Sequence, residues 1–259
     1  MTRPNVLILS GHDPSGGAGL QADIEAVAAQ GAHSASVITA LTRQDTRNVH
    51  GVVPVAEDFF AACIDTLLED MRFAAIKTGV LASVGQVRIV AELAARLPDV
   101  PLVVDPVLVA AGGGQLAGDP VGRALRDHLF ARATVITPNA DEARRLCDHT
   151  RDIDRCGAML TDTGGHALIT GGDEGEGEVV NRLYGPGGRI ESYAWPRLAG
   201  RFHGSGCTLA ASLAARLAIG DSLIEAVANA QSYTWRTLEH GFAAGSGQSI
   251  PDRWLERGT

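Results

Sequence analysis

The chain has 259 residues, 45% of them hydrophobic and 20% charged, with a formal net charge of −8. This balance excludes a disordered chain and a short disulfide scaffold, and at this length folding can bury roughly 75% of the extended surface in one or two domains. The acidic charge and the 5% aromatic content argue against a nucleic-acid platform, which needs clustered cations and stacking rings, so any anionic ligand must be held locally.

Apolar runs alternate with helical periodicity from end to end, without an internal repeat. Val6 to Ser10 reads as a buried strand, followed by a glycine turn over Gly11 to Gly17 and a helix with Leu20, Ile24, Val27 and Ala28 on one face. Ala35 to Leu41 is the next strand. A short strand at Val49 to Val55 leads to a helix over Asp58 to Leu68, then a strand at Phe73 to Thr78 and a helix over Val84 to Leu97. Leu102 to Asp105 and Thr134 to Thr137 are short strands, flanked by helices near 120–130 and 140–147. Ala167 to Thr170 is a further strand, with antiparallel strands expected at Val179 to Tyr184 and Arg189 to Ala194. Helices over 205–218 and 221–239 close the pattern. Such alternation predicts a mostly parallel sheet covered on both faces, with ligands at the carboxyl ends of the strands. Those ends carry Gly11 to Asp13, Thr42 to Asp45, Lys77 to Leu81, Asp105 to Val107, Thr137 to Asn139 and Thr170 to Gly172.

Several chemistries drop out by inspection. The start of the chain lacks the apolar run of a signal peptide, and no segment reaches the roughly 18 apolar residues of a membrane span, so a cytoplasmic protein with no membrane partner is expected. Cys63, Cys147, Cys156 and Cys207 form no C-x-x-C pair, which predicts reduced thiols rather than a zinc or dithiol site. Lys77 is the sole lysine and follows Ile76, so there is no Walker A motif; the H-R-D and D-F-G elements of protein kinases are absent too. Lys77 is either a lysine that arginine cannot replace or the residue of a bias toward arginine.

The richest candidate is Arg201-Phe-His-Gly-Ser-Gly-Cys-Thr208, which opens a helix. Gly204 and Gly206 let backbone N–H groups converge at a helix N-terminus, where the dipole favours an anion, and Cys207 sits in the first turn, where a thiol pKa can fall. The alternative is a glycine-rich loop with an inert cysteine. Ser10-Gly-His-Asp-Pro-Ser-Gly-Gly-Ala-Gly-Leu20 is a second glycine-rich turn; it matches G-x-G-x-x-A only loosely, and close backbone approach to a small ligand explains its glycines better. Asp105 and Glu142 stand at a strand end and a helix start, where carboxylates hold Mg²⁺ directly or through water. Asp105 and Glu142 can equally be only helix caps, and Asn139 and Asp141 are placed for capping too.

Together these segments resemble the hydroxymethylpyrimidine and phosphomethylpyrimidine kinases of thiamin biosynthesis, in the ribokinase-like superfamily. The similarity runs from about residue 6 to 240 and includes Ser10 to Asp23, Ser36 to Thr46, Lys77-Thr-Gly-Val-Leu81, Val103-Val-Asp-Pro-Val107, Ile136-Thr-Pro-Asn139 with Glu142, and His203-Gly-Ser-Gly-Cys-Thr-Leu209. Cysteine within the last motif is telling, because sugar kinases of the superfamily usually carry Asp there. The resemblance implies a single ribokinase-like kinase domain over 1–259, an α/β three-layer α/β/α sandwich with a mostly parallel sheet and a small antiparallel portion. It implies transfer of the ATP γ-phosphoryl group to 4-amino-5-hydroxymethyl-2-methylpyrimidine and then to its monophosphate, with Mg²⁺ and in a homodimer.

Carried over by motif, Cys207 takes the alcohol proton while Gly204, Ser205 and Gly206 supply the anion hole. Gly11, Gln44, Val80 and Val107 bind the pyrimidine, Gln44 reading its amino edge. Asn139, Thr170 and Gly172 bind ATP, and Asp105 and Glu142 hold the metal. Two departures stand out. Thr170-Gly-Gly-Asp173 replaces the Lys-Gly-Gly-His of many members, which removes a cation beside ATP and weighs most on the second transfer. Gly79-Val80 replaces the commoner Gly-Met, a smaller wall that leaves room for pyridoxal. A pyridoxal kinase, and a binding protein that has lost ATP affinity, are the alternative readings.

Overall fold

A computed structural model describes residues 3–108 and 118–255. Its strands are β1 (Asn5–His12), β2 (His33–Gln44), β3 (Val49–Pro54), β4 (Ala75–Thr78), β5 (Leu102–Val104), β6 (Val135–Ile136), β7 (His166–Ile169), β8 (Val179–Gly185) and β9 (Gly188–Trp195). They form one sheet in the order β3-β2-β1-β4-β5-β6-β7-β8-β9. The central strands from β2 to β7 pair in parallel, and β8 and β9 add the expected antiparallel edge. The opposite edge is antiparallel as well, which the sequence pattern did not indicate. Only Asp45 to Asn48 separate β2 from β3, and Asp45 Oδ1 accepts the N–H groups of Arg47 and Asn48 at 2.8 and 3.0 Å. So short a link makes a hairpin, whereas a parallel return needs a dozen residues or more.

Helices α1 (Gly19–Ala29), α7 (Ser205–Ala218) and α8 (Leu223–Glu239) cover one face of the sheet, and α2 (Glu57–Asp70), α3 (Val84–Arg96), α4 (Asp119–Ala124), α5 (Ala140–Leu146) and α6 (Ile153–Leu160) the other. The helix expected near 120–130 is irregular: α4 widens into a π turn over Leu125–Leu129 and tightens to a 3-10 turn over Phe130–Arg132. Helix α6 was not anticipated. It is only eight residues long, with Ile153, Cys156, Gly157 and Leu160 at helical spacing toward the core, and its start is set by Asp152 Oδ1 accepting the N–H groups of Asp154 and Arg155.

Strand alternation decides what reaches the ligand edge. In β1, Leu7 and Leu9 join the core beneath α2 and α3, whereas Val6 and Ile8 face α1, α7 and α8. Lys77 pairs with Ile8 across the parallel ladder, so it points to the α1/α7 face. Asp105, one residue beyond β5 and two beyond Val103, points the same way. Helix α1 is turned relative to its expected face: Ala22, Asp23, Ala26 and Val27 are buried and Ile24 is 38% exposed. Ala22 and Ala26 let α1 approach the sheet and α7 closely, and that rotation carries Asp23 to Lys77.

Candidate active site

The carboxyl edge of the central strands meets the N-termini of α1 and α7, and a buried ion pair lies at the junction. Lys77 Nζ donates to both carboxylate oxygens of Asp23 at 2.8 Å, and neither side chain is solvent-accessible. Burial opposes the Lys77 charge, but Asp23, Cys207 and Asp105 overbalance it and hold the ammonium above its ordinary range. Burial pushes the Asp23 carboxyl up, with Lys77 pulling the other way. A lysine at this point of β4 therefore supplies a fixed positive charge to the thiol and carboxylates around it.

The turn before α7 shows why its glycines are needed. Gly204 has φ +87°, and a Cβ there would sit 2.0 Å from Gly17 O, so the two glycine-rich turns touch at this point. No side chain caps α7, in contrast to α3, α5, α6 and α8, and no acidic residue stands in its first turn. Its first N–H groups are thus left for an anion. Cys207 is half-buried beside the Gly19 N–H. The expected fall in its pKa is not what the structure gives. Burial pushes the thiol up to about 12, although Lys77 pulls it down, because Asp23 and Asp105 add negative charge nearby. Proton transfer from an alcohol to Cys207 then needs that local charge balance to change when substrates bind.

Asp105 faces this turn, its Oδ2 lying 4.0 Å from where a Gly206 Cβ would be. Burial pushes its carboxyl up to about 6, with Lys77 opposing. Glu142 is pushed up to about 8 by burial and by Asp105, although the N–H groups of Asn139 and Leu108 donate to it at 3.1 and 3.2 Å. Asn139 and Glu142 also form a full capping box on α5, Asn139 Oδ1 accepting the Glu142 N–H at 2.8 Å. Both residues are thus caps, and Glu142 keeps a carboxylate beside Asp105. Asp105 Oδ2 and Thr137 Oγ1 are buried without a protein partner. Two mutually repelling carboxylates with an unclaimed oxygen suit Mg²⁺, which takes one or two protein carboxylates and completes its shell with water and phosphate oxygens. No group of three or more acidic, histidine or cysteine ligands occurs among the described residues.

The other sequence candidates separate into two places. Gly11 and Val80 are in contact, since a Cβ on Gly11 would meet Val80 Cγ1 at 2.6 Å. Val107 follows a tight turn in which its N–H donates to Asp105 O at 2.9 Å. Gln44 ends β2 with its Nε2 donating to Thr42 Oγ1 at 2.7 Å, in a shallow hollow also lined by His203 and Gln248. Thr170 and Gly172 lie farther along the edge, beside α5. There Asp173 accepts the Ala140 and Asp141 N–H groups at 3.3 and 2.8 Å, so the acidic departure occupies the start of α5.

Sequence reasoning passed over Asp13 and His203 as organisers. Asp13 Oδ1 accepts the Ser15 N–H and hydroxyl, and Oδ2 the Ala18 N–H and His203 Nε2, all at 2.8 Å. Burial raises its pKa, but these donors outweigh it and the carboxyl lies below its ordinary range. Asp13 lay inside the glycine-rich turn, named only as a strand end, and Asp23 inside the longer Ser10 to Asp23 segment.

A sheet edge gathering an uncapped helix start, a thiol, paired carboxylates and a buried ammonium defines an α/β enzyme that handles a transferring anionic group. The chain belongs to the phosphomethylpyrimidine kinase family, whose model matches residues 13–252. The hydroxymethylpyrimidine/phosphomethylpyrimidine kinase of Streptomyces coelicolor is 39% identical over 253 residues, 95% of this chain and 93% of that protein. The Escherichia coli enzyme of that name is 37% identical over 222 residues, 83% of each. The chain spans about half the length of plant relatives such as the rice probable thiamine biosynthetic bifunctional enzyme, at 37% identity, of which 47% is covered. Among solved structures, an ADP complex of Bacillus subtilis pyridoxal kinase superposes with a TM-score of 0.91 at 26% identity, over 99% of this chain and 100% of that one. A phosphomethylpyrimidine kinase of Clostridium difficile gives 0.76 at 30%, over 90% and 98%. The fold is ribokinase-like. No described helix is long and apolar enough to cross a membrane.

Proposed function

We propose that this chain transfers the γ-phosphoryl group of ATP to the primary alcohol of 4-amino-5-hydroxymethyl-2-methylpyrimidine, and then to the resulting monophosphate. The observation that carries this reading is the meeting of Cys207, Lys77 and Asp105 at the glycine turn before α7, in a chain of this family. The pyrimidine lies against Gly11, Val80 and Val107, with Gln44 at its amino edge. The alcohol oxygen attacks the γ-phosphorus in line, Cys207 accepts the alcohol proton, and ADP leaves. N–H groups over 204–207 stabilise charge on the transferring group, which is where such positioning acts most strongly. Asn139, Thr170 and Gly172 bind ATP. Asp105 and Glu142 would hold Mg²⁺, which neutralises phosphate charge. A homodimer is the assembly that goes with this reading.

The likeness to pyridoxal kinases favours one competing reading, phosphorylation of pyridoxal. Mass spectrometry of products from MgATP with either alcohol separates them. A pyrimidine diphosphate supports both transfers, a monophosphate alone confines the enzyme to the first, and pyridoxal phosphate alone moves it to the other substrate.

A further inference from the structure

Arg253 is the largest fully buried side chain among the described residues, and nothing in the reaction outlined above uses it. Its segment is anchored on α8, where Tyr233 Oη donates to Arg253 O and the Asp252 N–H donates to Thr237 O, both at 2.9 Å. The guanidinium reaches from there into the junction of the two glycine turns. Nη2 donates to Gly17 O at 2.6 Å, Nε to Thr208 Oγ1 at 2.8 Å, and Nη1 pairs with Glu25 Oε2 of α1 at 3.2 Å. Thr208 Oγ1 in turn donates to Gly204 O at 2.8 Å, beside the Thr208 N–H, which donates to the same carbonyl at 2.9 Å. One planar fork therefore fixes the carbonyl of each glycine turn, directly at Gly17 and through one hydroxyl at Gly204.

A trans peptide is planar, with its C=O and N–H pointing opposite ways. Holding Gly204 O toward Thr208 turns the Ser205 N–H in the opposite direction, toward the start of α7. Holding Gly17 O turns the Ala18 N–H to Asp13 Oδ2, which also engages His203 Nε2. We infer that Arg253 is a positioning residue for phosphoryl transfer, locking the two glycine turns in one relative geometry through Gly17 O and Thr208. This inference rests on the anion-hole reading of residues 204–207.

The test compares wild type with Arg253→Met and Arg253→Lys, each confirmed folded by thermal melting. Misplacement of a catalytic group is expected to lower kcat by ~10²-fold in Arg253→Met. KM for the hydroxymethylpyrimidine should stay within about 2-fold, as for a group acting on the transition state. Added guanidinium should restore part of kcat, and lysine, which lacks the fork, should not substitute. A rise in KM with kcat unchanged, or no rescue, overturns the inference. Hydrogen exchange supplies a readout independent of turnover: peptides spanning 14–20 and 203–209 should both exchange faster in Arg253→Met, and unchanged exchange overturns the inference whatever the activity does. Should Arg253→Met not fold, Thr208→Val removes the hydroxyl that joins Arg253 Nε to Gly204 O and leaves the bond to Gly17 O in place; faster exchange at 203–209 without a change at 14–20 supports the role, and no change at 203–209 overturns it. A wild-type chain that phosphorylates no alcohol defeats the functional reading, while the exchange comparison still decides what Arg253 does.

Discussion

Replacing Lys77 by methionine keeps the length of the side chain but removes the partner of Asp23. Both groups are inaccessible to solvent, and one ammonium satisfies two carboxylate oxygens at 2.8 Å. Removing one member of such a pair strands the other charge in a medium that cannot solvate it, at a cost of about 3–5 kcal/mol. For a chain of this size that corresponds to a melting temperature lower by roughly 6–20 °C. The loss should depend on pH. Burial already pushes the Asp23 carboxyl up, and without Lys77 nothing comparable opposes it. An acid whose pKa is higher folded than unfolded binds a proton on folding, so the deficit is smallest in acid and grows as pH rises through the folded pKa. Urea unfolding of wild type and variant at about pH 5.5 and about pH 8 measures this directly. Pairing Lys77→Met with Asp23→Leu should recover most of the loss, since a buried ion pair replaced whole by apolar groups is close to neutral. A single variant as stable as wild type, or a deficit independent of pH, refutes the argument.

Cys207→Ala should lower kcat by ~10²–10⁴-fold, the range of a general base, with pyrimidine affinity by calorimetry nearly unchanged; unaltered turnover removes Cys207 from the proton-transfer role. With the thiol of the free protein pushed up to about 12, wild-type kcat/KM should climb with pH through the neutral and mildly alkaline range, and the climb should flatten in Cys207→Ala. Gly204→Ala adds about 1–2 kcal/mol for left-handed backbone and about 1–3 kcal/mol for overlap with Gly17 O, so stability and kcat should fall together. Asp105→Asn should raise the Mg²⁺ concentration for half-maximal rate by at least ~10-fold. Because Asp105 helps to hold Glu142 near 8, the Glu142 pKa should fall in that variant, as carboxyl-carbon NMR can follow; a constant Glu142 pKa would deny the coupling.

The parallel core was legible because its strands are short, mostly apolar runs that end at glycine or proline, a pattern that burial on both faces explains. Val6 to Ser10, Phe73 to Thr78 and Leu102 to Asp105 lie where the structure has β1, β4 and β5. The site was legible in part, since strand ends are fixed by the same pattern and the glycine turn at 204–207 opens the helix expected there. The antiparallel β3 edge was missed because β2 runs on to Gln44, beyond the expected strand end, and leaves only a hairpin link; the rotation of α1 and the rise of the Cys207 pKa were not legible either, and these two share a cause. Each depends on groups far apart in sequence: Asp23 turns inward because Lys77 waits 54 residues later, and Cys207 is held up by burial together with Asp23 and Asp105. Arg253 is the extreme case, bonded to Gly17 across 236 residues. Local patterning sets which segments are strands and which turns admit a close backbone. Only the folded chain decides which charges are desolvated together, because desolvation and Coulomb energy depend on distance in space rather than on spacing along the sequence.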